Sequence, residues 1–292
     1  MSKVLVTGAN GFIGTNLCYF LKSMNYEIIR CDIGSSECLH PDYILENFLN
    51  LGIEKVFHLG AVSSTTETDL VKITESNIFF SVKLLQLCIE CDIPIVYASS
   101  ASVYGHGPTG FAEDDDCQPL NYYAISKYCL DLYVERKIQD LANIKVFGLR
   151  YFNVYGPGEY SKGDMASPVH KFFEQSNKGK IKIFEGSENF SRDFIHVNDV
   201  VKITEAVSNF EDSGIYNVGT GTARTFYDVA KIVSKFTGAE IHIIPFPEHL
   251  KGKYQRYTCS NNNKIEASGC TKNRLTLEEG IKSTFYEQKN LH

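Results

Sequence analysis

Short apolar runs and longer amphipathic stretches alternate along the first half of the chain. Val4-Leu5-Val6, Glu27 to Cys31, Lys55 to Leu59, Ile93 to Ala98 and Ile144 to Leu149 are too short for helices and read as strands. Phe12–Lys22, Ile73–Cys91 and Tyr122–Leu141 are expected as helices, the second of them with apolar residues at clear helical spacing. Strands alternating with helices of this length build βαβ units. The prediction is an α/β fold, Rossmann-like, with a doubly wound parallel sheet.

The pattern changes after Tyr155. Gly156-Pro157-Gly158 breaks the chain and a polar loop runs to Ser167. A helix near Val169–Asn177, a strand Lys180–Phe184, a helix from Phe226 and a strand Ile241–Ile244 follow. Phe194–Val197 and Ile215–Val218 are expected to return to the main sheet. This divides the chain into a nucleotide-binding domain of residues 1–156 and about 192–225, and a smaller α/β C-terminal lobe of 157–191 and 226–292.

Composition narrows the function classes. A net charge of −6 with no long basic block disfavours nucleic acid and anionic membrane surfaces as partners. No stretch approaches the roughly 18 apolar residues of a membrane span, and the first apolar run is too short for a signal segment. Nine scattered cysteines do not form a disulfide framework and fit a cytoplasmic location. Cys88 and Cys91 form a C-x-x-C inside a helical run, with no second ligand pair near them, so they are read as packing residues and no metal is expected.

Chemistry enters with the glycines. Gly8, Gly11 and Gly14 follow the first strand and open the first helix, the strand–loop–helix context that brings a pyrophosphate against backbone N–H groups. Asp32 closes the second strand, where an acid accepts from ribose hydroxyls; no Lys or Arg stands among the five residues after it. The cofactor is therefore read as NAD in preference to NADP. Tyr123 and Lys127 lie four apart on one helical face, where an ammonium near a phenol would favour the phenolate. Ser99 and Ser100 close the strand at the sheet's C-terminal edge, and Ser100 is positioned to bond a substrate hydroxyl or carbonyl.

Together with His58-Leu59-Gly60-Ala61 and Arg150-Tyr151-Phe152-Asn153-Val154-Tyr155-Gly156-Pro157, these motifs resemble the extended short-chain dehydrogenase/reductase family along nearly the whole chain. The resemblance implies nucleotide-diphosphate sugar substrates. Ser63 to Glu67, Phe184 to Phe194, Ile244 to Pro247 and Leu250 to Gln255 look like the ADP-L-glycero-D-manno-heptose 6-epimerases within it. That likeness implies oxidation and return reduction at C6 of the sugar by a tightly held dinucleotide. It implies two proton carriers on opposite faces of the ketone, Tyr123 and Lys162. It adds Phe12, Ile13, Leu59, Ala61, Ser63, Asn77 and Val154 as cofactor positions beside Lys127 and Ser99. Substrate contacts implied are Ser64, Ser100, Asn153, His170, Phe184, Glu185, Gly186, Ser187, Arg192 (as a diphosphate clamp) and Tyr254. Relatives commonly assemble, so a homo-oligomer is expected.

Two departures stand out. The segment between Asp32 and Lys55 is short for the family, which suggests a missing helix and leaves Asp42 as an adenine-side acid. Asp164 stands where a small hydroxyl residue is expected at the sugar. Another nucleotide-sugar epimerase, a dehydratase, a keto-sugar reductase or a non-catalytic dinucleotide sensor are the competing readings.

Overall fold

The computed structural model describes residues 2–106, 110–141, 143–248, 255–270 and 272–290. In chain order its elements are β1 (Lys3–Thr7), α1 (Phe12–Ser23), β2 (Glu27–Cys31), α2 (Pro41–Asn47), β3 (Lys55–His58), α3 (Leu70–Ile73), α4 (Phe80–Glu90), β4 (Ile95–Ser100), α5 (Tyr122–Asp140), β5 (Val146–Tyr151), β6 (Asn153–Tyr155), α6 (Pro168–Ser176), β7 (Lys180–Phe184), β8 (Ser191–His196), α7 (Val197–Val207), β9 (Gly214–Val218), β10 (Ala223–Thr225), α8 (Phe226–Thr237), β11 (Glu240–Ile244), α9 (Asn263–Ala267) and α10 (Leu277–Asn290).

Six strands form one sheet in the order β2-β1-β3-β4-β5-β9, every pair parallel. Parallel strands with helices on both faces are buried on both sides, which is why β3 and β5 are buried at every residue rather than at alternate ones. One face packs Val6, Leu17, Phe147 and Val200 between the sheet and α1 and α7. The other packs Leu5, Leu84, Tyr97 and Leu130 against α4 and α5. Strand order reverses between β1 and β3, and the loops beyond their C-terminal ends flank the crevice where such sheets bind ligands.

A third core holds the C-terminal elements. The parallel pair β7 and β11 is covered by α6, α8 and α10 around Phe172, Ile181, Val229 and Ile281. The strand predicted over Phe194–Val197 does not join the main sheet. It is part of β8, which pairs parallel with β6 and antiparallel with β10 in a separate three-stranded sheet. β8 carries Asp193. Its fully buried carboxylate needs donors, and it finds them in the N–H groups of Thr220 (2.8 Å), Gly221 (2.9 Å) and Ser260 (3.0 Å). Residues 215–218 do return to the main sheet, as β9.

Two helices differ from expectation. The stretch after Asp32 keeps a short helix, α2, signalled by Pro41 at its first turn and capped by His40, whose Nδ1 accepts from the Asp42 N–H at 3.3 Å. The helix predicted over Ile73–Cys91 is interrupted by a wider π turn, Thr74–Phe79, between α3 and α4. Asn77 lies in that turn, wholly buried, with its amide bonded to both backbone groups of Val62 and to Ser126 Oγ. Serving these polar partners sets the local winding of the chain.

The central buried pair is Asp131 on α5 with Arg150 on β5, Nε to Oδ2 2.9 Å. Tyr97 OH and Ser99 Oγ also donate to Asp131, each at 2.9 Å. Arg150 donates further to Tyr104 OH (3.0 Å) and to the Glu113 carbonyl (3.1 Å). Removing one partner strands the other charge. Arg150→Leu is expected to lower the unfolding free energy by about 3–5 kcal/mol in urea titrations, and a loss below about 1 kcal/mol contradicts this account.

Candidate active site

The glycine loop is built by contact distance. Gly8 has φ +67°, and a Cβ there would lie 2.6 Å from Gly60 N; a Cβ on Gly14 would lie 2.0 Å from Gly8 O. Neither position admits a side chain. The loop is thereby pressed against the β3–α3 connection. Gly11 begins α1 with no side-chain cap and no acid in the first turn, so the positive helix end is left for an anion.

Asp32 is fixed by N–H donors from Asn10 (2.7 Å) and Ile33 (2.8 Å). The nearby cation, Arg30, is turned into the loop, where its Nη2 donates to Asn10 Oδ1 (2.7 Å) and Ala9 O (3.2 Å). A close-approach loop, an open helix terminus and a braced acid at the end of β2 fit a dinucleotide. Asp42 lies on the exposed first turn of α2 with its carboxylate 3.4 Å from His40.

The loop after β3 carries Leu59, Ala61, Ser63 and Ser64. It is anchored from beneath by His58. The parallel register sets Thr7 beside His58, with Oγ1 and Nδ1 2.6 Å apart, and His58 Nε2 lies 2.8 Å from Ser81 Oγ. Thr7 Oγ1 also accepts from the Gly60 N–H at 3.1 Å. Burial, reinforced by the charge of Lys127, pushes His58 down to about 3, so it is neutral at physiological pH.

Tyr123 and Lys127 are in the first half of α5, which Asn121 caps by accepting from the Ala124 N–H at 2.9 Å. Tyr123 is partly exposed, whereas Lys127 is buried. The ammonium lies 6.0 Å from the Tyr123 ring centre and makes no hydrogen bond to a described residue. Burial lowers Lys127 to about 8, with the Asp131 carboxylate one turn further along α5 working against that. The expected phenolate-favouring effect of Lys127 is not what governs Tyr123. Burial pushes the phenol above its usual value, and the hydrogen bond with Ser100 opposes it. Ser100 ends β4 and its Oγ accepts from the Ser102 N–H (3.2 Å) and hydroxyl (2.9 Å).

Two expected cofactor residues have buried side chains that serve protein partners. Asn77 spends its amide on Val62 and Ser126, next to Lys127, and Ser99 donates to Asp131. Val154 is buried in β6 and Asn153 beside it is partly exposed.

Across the crevice, the turn Glu159–Met165 brings Lys162 to 5.4 Å from the ring centre of Phe12, the first residue of α1. Thr65 Oγ1 reaches Met165 Sδ at 3.6 Å, so the same turn also meets the Ser63–Thr66 loop. Tertiary structure thus joins Lys162 to a glycine loop some 150 residues earlier. Asp164 exposes its carboxylate on this turn, while its carbonyl accepts from Lys171 Nζ at 2.7 Å.

The remaining predicted substrate residues line the C-terminal lobe. His170 on α6 has Nε2 3.4 Å from Glu174. Phe184 and Glu185 are exposed at the end of β7, Gly186 turns with φ +81°, and Ser187 Oγ donates to the Phe184 carbonyl at 2.5 Å. Arg192 is buried on β8. It donates to the carbonyls of Ser191 (2.8 Å) and Gln255, with its guanidinium 5.5 Å from the centre of Phe226. Tyr254 lies outside the described residues. Sequence reasoning passed over Asp131 and Glu159. Asp131 had a legible signal, since it lies four and eight residues after Lys127 and Tyr123 on one helical face; Glu159 had none.

Comparison with known proteins agrees with this geometry. The model of the NAD dependent epimerase/dehydratase family matches residues 4–219. A curated relative from Brachyspira hyodysenteriae, ADP-L-glycero-D-manno-heptose-6-epimerase, is 40% identical over 96% of this chain and 95% of its own. The crystal structure of the Helicobacter pylori ADP-L-glycero-D-manno-heptose-6-epimerase superposes with TM-score 0.86 at 26% identity, covering 98% of this chain and 96% of that one. That of Thermus thermophilus UDP-glucose 4-epimerase in complex with NAD gives TM-score 0.82 at 27% identity, covering 99% and 100%. With its Tyr-x-x-x-Lys helix, braced Asp32 and close-packed glycine loop, the chain belongs to the NAD-dependent epimerase/dehydratase family.

Proposed function

We propose that this chain is an ADP-glycero-manno-heptose 6-epimerase, inverting C6 of a nucleotide-diphosphate sugar through a transient ketone. What supports the reading is a pair of candidate proton carriers beside the dinucleotide elements: Tyr123 with Ser100 at the C-terminal edge of the sheet, and Lys162 against Phe12 at the start of α1. The extent of the likeness to the heptose epimerases supports the choice of sugar.

When bound, the dinucleotide supplies a reversible hydride acceptor. Every other part falls to the chain. The α1 terminus and glycine loop hold the pyrophosphate, Asp32 the adenosine ribose, and Lys127 the nicotinamide ribose. Ser100 orients the reacting oxygen. Tyr123 exchanges a proton with that oxygen from one face and Lys162 from the other, as inversion requires. His170, Phe184, Glu185, Ser187, Arg192 and Tyr254 are proposed around the sugar nucleotide. Arg192 would act there as part of a fixed wall, because its guanidinium already serves two carbonyls.

The reading includes a cytoplasmic setting, supported by nine scattered cysteines that form no disulfide framework. It also includes a homo-oligomer. Leu70 and Val71 on α3, Phe79 on the π turn, and Ile125 and Leu132 on α5 are exposed apolar side chains on elements that pack side by side.

Tyr123→Phe should cut epimerisation by about 10²–10⁴-fold with dinucleotide still bound. Lys162→Met should cut epimerisation while one-sided reduction of a keto-sugar analogue persists. Both are followed by NMR of the C6 epimers, with GDP-, UDP- and dTDP-sugars as comparison substrates. A fully active Lys162→Met variant eliminates the two-carrier assignment, and inversion of a UDP-sugar alone moves the substrate to another class, for which exposed Asp164 is the residue to examine.

NAD should bind at least about tenfold tighter than NADP in calorimetric titration, a difference of about 1.4 kcal/mol, because Asp32 opposes a 2′-phosphate and Arg30 is engaged elsewhere. Tighter NADP binding sinks this preference. Sedimentation should give a multiple of the chain mass, reduced to the single-chain value by Val71→Lys with Leu132→Lys; a monomeric unaltered protein rejects the assembly.

A further inference from the structure

The turn that carries Lys162 contains an acid with no part in the chemistry so far described. Tyr160, Ser161, Gly163 and Asp164 are exposed, yet Glu159 is 1% exposed and its carboxylate is covered completely. Burying a carboxylate is costly unless its oxygens are served. Oε1 accepts from the Ser167 N–H at 2.6 Å, Oε2 from the Ser167 hydroxyl at 2.7 Å, and the Lys162 ammonium stands 3.3 Å from Oε1. Ser167 is in turn the cap of α6, so Glu159 is fixed to a rigid element rather than to the loop.

Lys162 is thereby held at two points. Its ammonium has the Phe12 ring 5.4 Å away and the Glu159 carboxylate within ion-pair distance. A lysine on an exposed turn ordinarily samples many rotamers and is solvated. This one is 30% exposed at the side chain, which leaves a path for water to it.

We propose that Glu159 is a positioning residue for the proposed epimerisation, acting through Lys162 to fix the place of its ammonium. The inference rests on the reading of Lys162 as the second proton carrier. In the step it serves, the bound dinucleotide would supply the hydride that forms the new C6–H bond, while an Nζ–H bond breaks and an O–H bond forms on the sugar oxygen. Lys162 is left as a neutral amine, and Glu159 keeps its charge on the two Ser167 hydrogen bonds. A proton taken from solvent restores the paired ammonium, and the proton that Tyr123 accepted in the oxidation is released to solvent. An unpaired buried carboxylate is unfavourable, so the ion pair with Glu159 holds the Lys162 ammonium in place.

The test is a double-mutant cycle on the holoenzyme with Glu159→Gln and Lys162→Met, following kcat, KM and thermal midpoint. Glu159→Gln keeps the side-chain volume and removes the charge. Its expected effect is a fall in kcat of about tenfold or more, part of the 10²–10⁴ that a placed proton carrier supplies. KM should stay within about twofold, and the substitution should cost nothing further in the Lys162→Met background. One-sided reduction of the keto analogue by way of Tyr123 should be unchanged. A wild-type kcat in Glu159→Gln overturns the proposal. So does an equal loss with and without Lys162, or a loss that tracks KM and thermal midpoint, which marks a role in folding alone. If Glu159→Gln yields no folded holoenzyme, Glu159→Asp, with its charge drawn back by one methylene, answers the same question. A smaller loss in kcat that vanishes in the Lys162→Met background supports the proposal, and wild-type kcat or an additive loss overturns it. Full activity of Lys162→Met by itself instead removes the two-carrier reading, whatever Glu159 does.

Discussion

The Asp131–Arg150 pair is the interaction on which the site depends. Asp131 belongs to the helix that carries Tyr123 and Lys127. Arg150 belongs to the strand beside the one ending in Ser99 and Ser100, and the parallel register sets Ser99 opposite Arg150. One buried ion pair with two additional hydroxyl donors therefore locks the helix of Tyr123 and Lys127 to the sheet. Two charges so buried are stabilising only with near-complete hydrogen bonding, and the network extends through Tyr104 to Asn217 on β9 to achieve it. Gly148 belongs to the same arrangement, since a Cβ there would meet Tyr97 OH at 2.4 Å, on the path of that hydroxyl to Asp131.

Polar groups elsewhere under the crevice work in the same manner. Thr7, His58 and Ser81 connect β1, β3 and α4. Asn77 connects the π turn to Val62 and to α5. None of these side chains needs to face a ligand. Each converts a loop into a fixed surface, and a fixed surface is what allows backbone N–H groups and one tyrosine to be placed accurately for a reaction. The opposing wall uses the same device on a smaller scale: Glu159 and Ser167 hold the turn that presents Lys162.

How much was legible in the chain followed from the range of each interaction. The main-sheet strands, the glycine loop with Asp32, and the Tyr123–Lys127 helix are local patterns of spacing, and all are present in the structure. Boundaries moved by a few residues where burial continued past the apolar run, as in β5, which extends over Arg150 and Tyr151 because Asp131 and Thr204 serve their polar ends. The separate sheet of β8 was not legible, since the partners of Asp193 lie 27 and 67 residues further along the chain. The π turn was hidden for the same reason, its cause being a distant backbone group and Ser126.

By itself the sequence determined the doubly wound architecture, the dinucleotide loop and the residue types of the chemistry, because these rest on periodicity and on motifs within one strand, loop or helix. Only the tertiary structure decided which residues touch. It set Lys162 against Phe12, buried Ser99 on Asp131 and Asn77 on Ser126, turned Arg30 into the glycine loop, and fixed Arg192 to backbone carbonyls. These outcomes depend on contacts between segments far apart in the chain, where sequence spacing carries no geometric information and the need to satisfy buried charge and hydrogen bonds decides the arrangement.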